Sequence, residues 1–205
     1  ESVAHRGALV LRGEGLGADI TDTDPHHENA AILVAEAIDP NDAASAKTAR
    51  VVNEFVRKSY ELLKDHPVNK ARIAEGKNPA NVILPRGGGI GPNMESFEKE
   101  YGLKAACVAE TGLINGVAKY VGMDLTEVLG ATGGADSNVL NMAKAIVVRL
   151  KEGYDFVLCN VKGADVGGHD NAPQVKIDMI KKLDEMIGYL MENVPAGTYI
   201  VLTAD

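Results

Sequence analysis

The chain has 205 residues, 45% hydrophobic and 24% charged, with a formal net charge of −8. That length can hold one large or two small domains, each with a buried core. The negative balance excludes nucleic acid as a principal partner, because phosphate backbones are held by clustered Lys and Arg. An aromatic content of 4% without Trp removes base-stacking platforms as well. No apolar run nears the roughly 18 to 20 residues that span a bilayer, and no secretory n- and h-region is read, so no membrane is expected.

From the start, residues 8–11 read as a short apolar strand with Arg12 at its exit, among Gly13, Gly15 and Gly17. Glycines around an exposed Arg let an anion reach both backbone amides and guanidinium, although a glycine-rich turn with a solvated Arg reads the same way. Asp22, Asp24, His26 and His27 follow in one polar loop that fits a metal or plain solvent. Residues 45–64 read as a helix, with Asn41, Asp42 and Ser45 as caps and Ala49, Val52, Phe55, Val56, Leu62 and Leu63 on its apolar face. Polar helical character continues past a break at Pro67 to Gly76. A strand over 81–84 then runs into Pro85, Arg86 and three glycines. The strand–arginine–glycine arrangement thus occurs twice, and two such arginines imply a pocket for an anionic substrate.

Near Glu98 the character changes, which places one domain over 1–98 and another over 99–205. Strands at 104–109, 125–129 and 155–161 alternate with helices at 112–121, 137–150 and 172–193. Asp136 or Ser137 caps the second of these helices, whose buried face carries Val139, Met142, Ala143, Ile146, Val147 and Leu150. Such alternation implies α/β architecture, a parallel sheet covered by helices on both faces. Cys107 and Cys159 fall inside these strands and read as small core hydrophobes in a reducing compartment, the cytoplasm.

Two stretches carry the chemistry. Residues 154–169 read YDFVLCNVKGADVGGH: a buried strand, then a loop presenting Asp165, two glycines and His169. Gly167 and Gly168 let that loop curl so that acid and imidazole aim at one cation. A polar surface turn reads alike. The second stretch is TYIVLT at 198–203, expected as a strand parallel and adjacent to 155–161, with Asp205 at its carboxyl end. A right-handed crossover puts both carboxyl ends on one edge. Asp165, His169 and Asp205 then face one cleft and suit a divalent ion such as Mn, Zn, Co or Mg.

GADVGGH followed by VLTAD resembles the metal-binding half of the alkaline phosphatase superfamily. LVLRGEGLGADITDTDPH, NPANVILPRGGG and SFEKEYGLKAACVAETGLINGVAKYVGM narrow the resemblance to archaeal-type 2,3-bisphosphoglycerate-independent phosphoglycerate mutases, over nearly the whole chain. The resemblance implies part of an alkaline-phosphatase-like sheet with an inserted α/β lid over 1–98. It also implies two divalent ions, no 2,3-bisphosphoglycerate, and a small phosphorylated substrate passed through a phosphoserine. Asp165, His169 and Asp205 would be metal ligands; Arg12 and Arg86 would clamp the anion, and Asp22, Asp24 and His26 would position hydroxyls. Relatives also carry a metal-binding Asp and a Ser before, and two His after, the region matched here. The chain therefore reads as an internal segment, expected to fold without binding metal tightly or turning over phosphoglycerate. Asn115 stands where relatives have a lysine; Lys119 or Lys162 could supply that charge. Other readings stay open: a homoserine-kinase-like phosphotransferase, a phosphatase, or an inactive anion-binding segment that self-associates through an open strand edge into a homo-oligomer.

Overall fold

The structure is a computed structural model that describes residues 2–3 and 6–204. The chain divides into two compact units, residues 1–92 and 93–205.

In the first unit, β1 (Ser2–Val3) and β2 (Arg6–Gly7) pair antiparallel. Two helices follow, α1 (Ala43–Leu63) and α2 (Pro67–Ala74). Asp42 caps α1 by accepting from the backbone N–H groups of Ala44 and Ser45. The buried face of α1 is Ser45, Thr48, Ala49, Val52, Val56 and Ser59, at three- and four-residue spacing but half polar. Each polar member has a backbone partner. Ser45 Oγ accepts from Asp19 N at 3.2 Å, Thr48 Oγ1 from Gly17 N at 3.1 Å, and Ser59 Oγ from Ile83 N at 3.0 Å. Asn53, on the same helix, accepts from Ala35 N at 2.9 Å and donates to Ala35 O at 2.8 Å.

This arrangement corrects two expected strands. Among the described residues neither 8–11 nor 81–84 joins a sheet. Extended backbone needs a donor and acceptor row to become a strand. Here Ile83 spends its N–H on a helix side chain, and Leu9 and Val10 are exposed. The sheet-like pairing that does form is irregular: Thr21 N donates to Glu36 O and Ile38 N to Asp19 O, both at 2.9 Å, around a single antiparallel bridge between Ile20 and Ala37. Asn53→Ala strands both backbone groups of Ala35, which is 3% exposed, and is expected to destabilise the protein by about 2 kcal/mol. Urea unfolding checks this, through a lower midpoint at constant slope.

The second unit contains α3 (Phe97–Tyr101), β3 (Ala105–Ala109), α4 (Gly112–Tyr120), β4 (Asp124–Leu125), α5 (Val139–Lys151), β5 (Phe156–Asn160), α6 (Gly163–His169) and α7 (Pro173–Asn193). The three strands form the expected parallel sheet in the order β4-β3-β5. β3 is central and buried throughout, which explains its unbroken small apolar run. Alternate β3 residues feed two cores. Val108 meets Met142, Ala143, Ile146 and Val147 of α5 and Met179, Met186 and Leu190 of α7. Ala105, Cys107 and Ala109 meet Ala118 and Met123 with Phe97, Ile114 and Val121 on the other side. Sheet with helices on both faces is the α/β layering that the alternating pattern implied.

Three details of this unit differ from expectation. The boundary falls at 92/93 rather than near Glu98, because α3 belongs to the sheet: Phe97 stacks on Phe156 with ring centroids 5.2 Å apart. β4 ends at Leu125 instead of 129; beyond Thr126, whose N–H still bonds Cys107 O at 2.9 Å, the chain turns away. Residues 198–203 form no strand and pair with none. Tyr199 and Val201 are 95% and 85% exposed, so strand propensity there finds no ladder among the described residues.

Candidate active site

β3 and β5 run in register, Ala109 opposite Asn160, so the residues just after them share the carboxyl edge of the sheet. Glu110 follows β3 directly. Its Oε2 accepts from Lys162 N at 2.7 Å, and its Oε1 takes the hydroxyl of Ser137. One carboxylate therefore ties the end of β3 to the turn before α5 and to the entrance of α6. Glu110 is not among the expected site residues, although an acid placed immediately after a fully buried strand marks it in the sequence. Burial, followed by the charge of Glu110, pushes the Cys159 thiol up to about 12, so it stays protonated and inert.

Asp165 and His169 lie on α6, a short helix rather than the expected loop. Four-residue spacing on a helix puts both on one face, with His169 Nε2 3.5 Å from Asp165 Oδ1. The glycines serve packing instead of curling. A Cβ on Gly167 would sit 2.8 Å from Lys176 N, so its absence lets α6 lie against the start of α7. Lys162, at the N-cap of α6, brings its ammonium against Asp165 Oδ2. That side chain foremost holds the Asp165 carboxyl below the usual carboxylate range, against the opposing effect of burial.

Two oxygens at this edge, Asp165 Oδ2 and Asn160 Oδ1, are buried and lack a hydrogen-bond partner. The Lys162 contact is close in distance but is not aimed as a hydrogen bond, so Oδ2 counts among them. Buried acceptors without donors are the groups that an oxygen-preferring divalent ion takes, and an imidazole beside them adds a nitrogen ligand. Asp165 and His169 supply one oxygen and one nitrogen of the kinds such an ion takes. Among the described residues, no group of three His, Cys, Asp or Glu side chains is gathered closely enough to hold one; the third expected ligand, Asp205, lies outside the described residues.

The first unit holds a separate cluster. Arg86 Nη1 donates to Asp24 Oδ2 at 3.1 Å and lies 3.2 Å from His26 Nδ1. His26 Nε2 lies 3.2 Å from Asp22 Oδ2, and Asp22 Oδ1 accepts from Gly87 N at 2.8 Å. A guanidinium only donates, so Nδ1 accepts, and the ring proton sits on Nε2 facing Asp22. The Gly87 amide, then His26, hold the Asp22 carboxyl below its ordinary value. His26 itself has φ of 56°, steadied by its N–H bond to Asp24 Oδ1 at 2.9 Å. Four of the expected substrate-binding residues are thus brought together from segments about sixty positions apart in the chain.

Others are not brought in. Arg12 is exposed and makes no ion pair among the described residues. Lys119 sits in the last turn of α4, roughly 6 Å further along the axis than Asn115. Asn115 turns its amide to Ala109 O at 3.2 Å, so it serves as a strand-end anchor. Neither residue contacts the Asp165 group among the described residues.

Comparison with known proteins follows the same outline. A family described as the metalloenzyme superfamily matches residues 21–205. A protein of Methanocaldococcus jannaschii named 2,3-bisphosphoglycerate-independent phosphoglycerate mutase 1 is 46% identical over 205 residues, covering 100% of this chain and 49% of its own length. A Methanosphaera stadtmanae protein, named 2,3-bisphosphoglycerate-independent phosphoglycerate mutase, is 52% identical over 193 residues, covering 94% and 47%. The chain spans about half the length of the curated relatives it matches. Among solved structures, the cofactor-independent phosphoglycerate mutase of Thermoplasma acidophilum superposes with a TM-score of 0.59 at 30% identity, over 89% of this chain and 47% of that one. A Pyrococcus horikoshii protein superposes with a TM-score of 0.66 at 41% identity, over 76% and 42%. The family match takes in β3, β5, α6 and the donor oxygens at their carboxyl edge, and the chain belongs to the metalloenzyme superfamily.

Proposed function

We propose that this chain is the central part of a metal-dependent phosphoglycerate mutase that interconverts 3-phosphoglycerate and 2-phosphoglycerate without 2,3-bisphosphoglycerate. The observation that carries the reading is the pairing of Asp165 with His169 on one face of α6, just past the carboxyl end of β5. The names of the relatives supply the substrate. Asp165, His169 and Asp205 are the proposed ligands. Two bound divalent ions (Mn, Co, Zn or Mg) would supply charge neutralisation for a phosphoryl group and lower the cost of moving it between oxygens. Glu110 orients this edge by fixing the backbone of Lys162. In the first unit, a lid in this reading, Arg86 holds the substrate's anionic end with Arg12. Asp22, Asp24 and His26 accept from, or donate to, its hydroxyls. Lys162 is the better placed of the two candidate lysines, since Lys119 lies toward the far end of α4. Among the described residues no helix is long and apolar enough to cross a membrane, and the reading places the enzyme in the cytoplasm.

The test is an enzyme-coupled mutase assay on the full-length protein, with added Mn and no added 2,3-bisphosphoglycerate. Turnover should vanish with a chelator and return with metal; turnover indifferent to both treatments would sink the proposal. In the same assay, Arg86→Ala should raise KM for 3-phosphoglycerate roughly tenfold, the scale of one charge-assisted hydrogen bond, with kcat changed much less. An unchanged KM would exclude Arg86 as the clamp.

A further inference from the structure

Lys162 is an unusual neighbour for a cation site, and its geometry says how the conflict is resolved. Its backbone is pinned: the N–H is held by Glu110 Oε2 at 2.7 Å, and the residue sits at the N-cap of α6. The side chain is not pinned. It is 42% exposed, and it meets Asp165 Oδ2 without hydrogen-bond alignment, leaving that oxygen formally donorless. Asp165 Oδ1, by contrast, faces the imidazole of His169. A divalent ion binding through Oδ2 competes with the lysine ammonium for that oxygen, because two cations at contact distance repel. The ammonium rides on a flexible four-carbon stem, so it can withdraw to solvent while its Cα stays in place.

We propose that Lys162 is a built-in counter-cation, seated on the Asp165 carboxylate in the metal-free protein and displaced from it when a divalent ion binds. The proposal rests on the reading of Asp165 as a metal ligand. It gives the lysine a defined role before any substrate arrives. Without metal, the ion pair keeps a half-buried carboxylate neutralised. With metal bound, the ammonium leaves the carboxylate for solvent.

The experiment is isothermal titration of Mn alone into the metal-stripped full-length protein and three variants. Removing the competitor in Lys162→Met should tighten Mn binding by roughly two- to fivefold, the scale of an exposed ion pair. Lys162→Arg, which keeps a cation there, should bind Mn within about twofold of the parent by the same reasoning. Raising the salt concentration should narrow the gap between parent and Lys162→Met, because salt screens the pair that the metal must break. A lysine that only braces α6 would give equal or weaker Mn binding in Lys162→Met, and that result overturns the proposal. Thermal melts identify any variant that fails to fold, and Lys162→Gln repeats the measurement in that event. Asp165→Asn separates the two ideas. If it binds Mn as well as the parent, the ligand reading fails; if it loses Mn while Lys162→Met gains nothing, only the displacement fails.

Discussion

Asp165→Asn in the full-length protein is expected to cut metal-dependent mutase turnover by roughly a hundredfold or more, the scale seen when a metal site loses a supporting or ligating group. The change keeps the shape of the side chain and removes its charge, so α6 should remain seated through Gly167 on α7. The Lys162 ammonium loses its partner but is already 42% exposed and can be solvated. Metal content and turnover should therefore fall together while the thermal midpoint moves little. Turnover within a factor of two of the parent, with metal content preserved, would remove Asp165 from the site and with it the main support for the ligand set.

Gly17→Ala carries the largest expected effect on stability. A Cβ built on Gly17 falls 2.5 Å from Ser45 N and 3.0 Å from Ala44 C, both backbone atoms in the first turn of α1. Neither can swing aside, so the segment must move off the helix. That movement stretches the bonds from Gly17 N to Thr48 Oγ1 and from Asp19 N to Ser45 Oγ, now 3.1 and 3.2 Å. Overpacking of this kind costs about 3 kcal/mol or more, which for a chain of 205 residues lowers the melting temperature by roughly 6 to 12 °C. Gly116→Ala is the control: it sits within α4, meets nothing within 4 Å, and should be neutral or slightly stabilising. Differential scanning calorimetry of the pair decides, and equal midpoints would show that residues 13–19 relax freely.

The legible parts of the fold were those with a period. α4, α5 and α7 came within one or two residues of expectation because their apolar positions repeat at helical spacing; β3 was legible instead through its unbroken apolar run. α6 was misread because seven residues with three glycines carry no helical signal; what makes it helical is a docking surface on α7 that the local sequence does not contain. Residues 198–203 failed in the opposite way, with strong strand composition and no partner strand among the described residues. The cluster of Asp22, Asp24, His26 and Arg86 was foreseeable as chemistry, since charged and imidazole side chains beside glycines invite an anion. Their convergence depended on Thr23 N and Oγ1 both bonding Pro85 O, at 3.1 and 2.8 Å, which no motif announces. The role of Glu110 likewise depends on distant partners: Ser137 and Lys162 are 27 and 52 positions away.

The polar face of α1 has a thermal consequence. Ser45, Thr48, Asn53 and Ser59 hold the surrounding backbone by directed bonds, and the apolar cluster beside them is small, centred on Ala35, Ala49 and Val52. Heat capacity on unfolding rises with apolar surface exposed and falls with polar surface exposed. The first unit should therefore contribute less heat-capacity change per residue than the sheet unit, whose two cores are built from Met, Val, Ile and Ala. Its stability curve is correspondingly flatter. Cooling weakens it less than it weakens its neighbour, and the balance between the two units shifts with temperature without any change in their contacts.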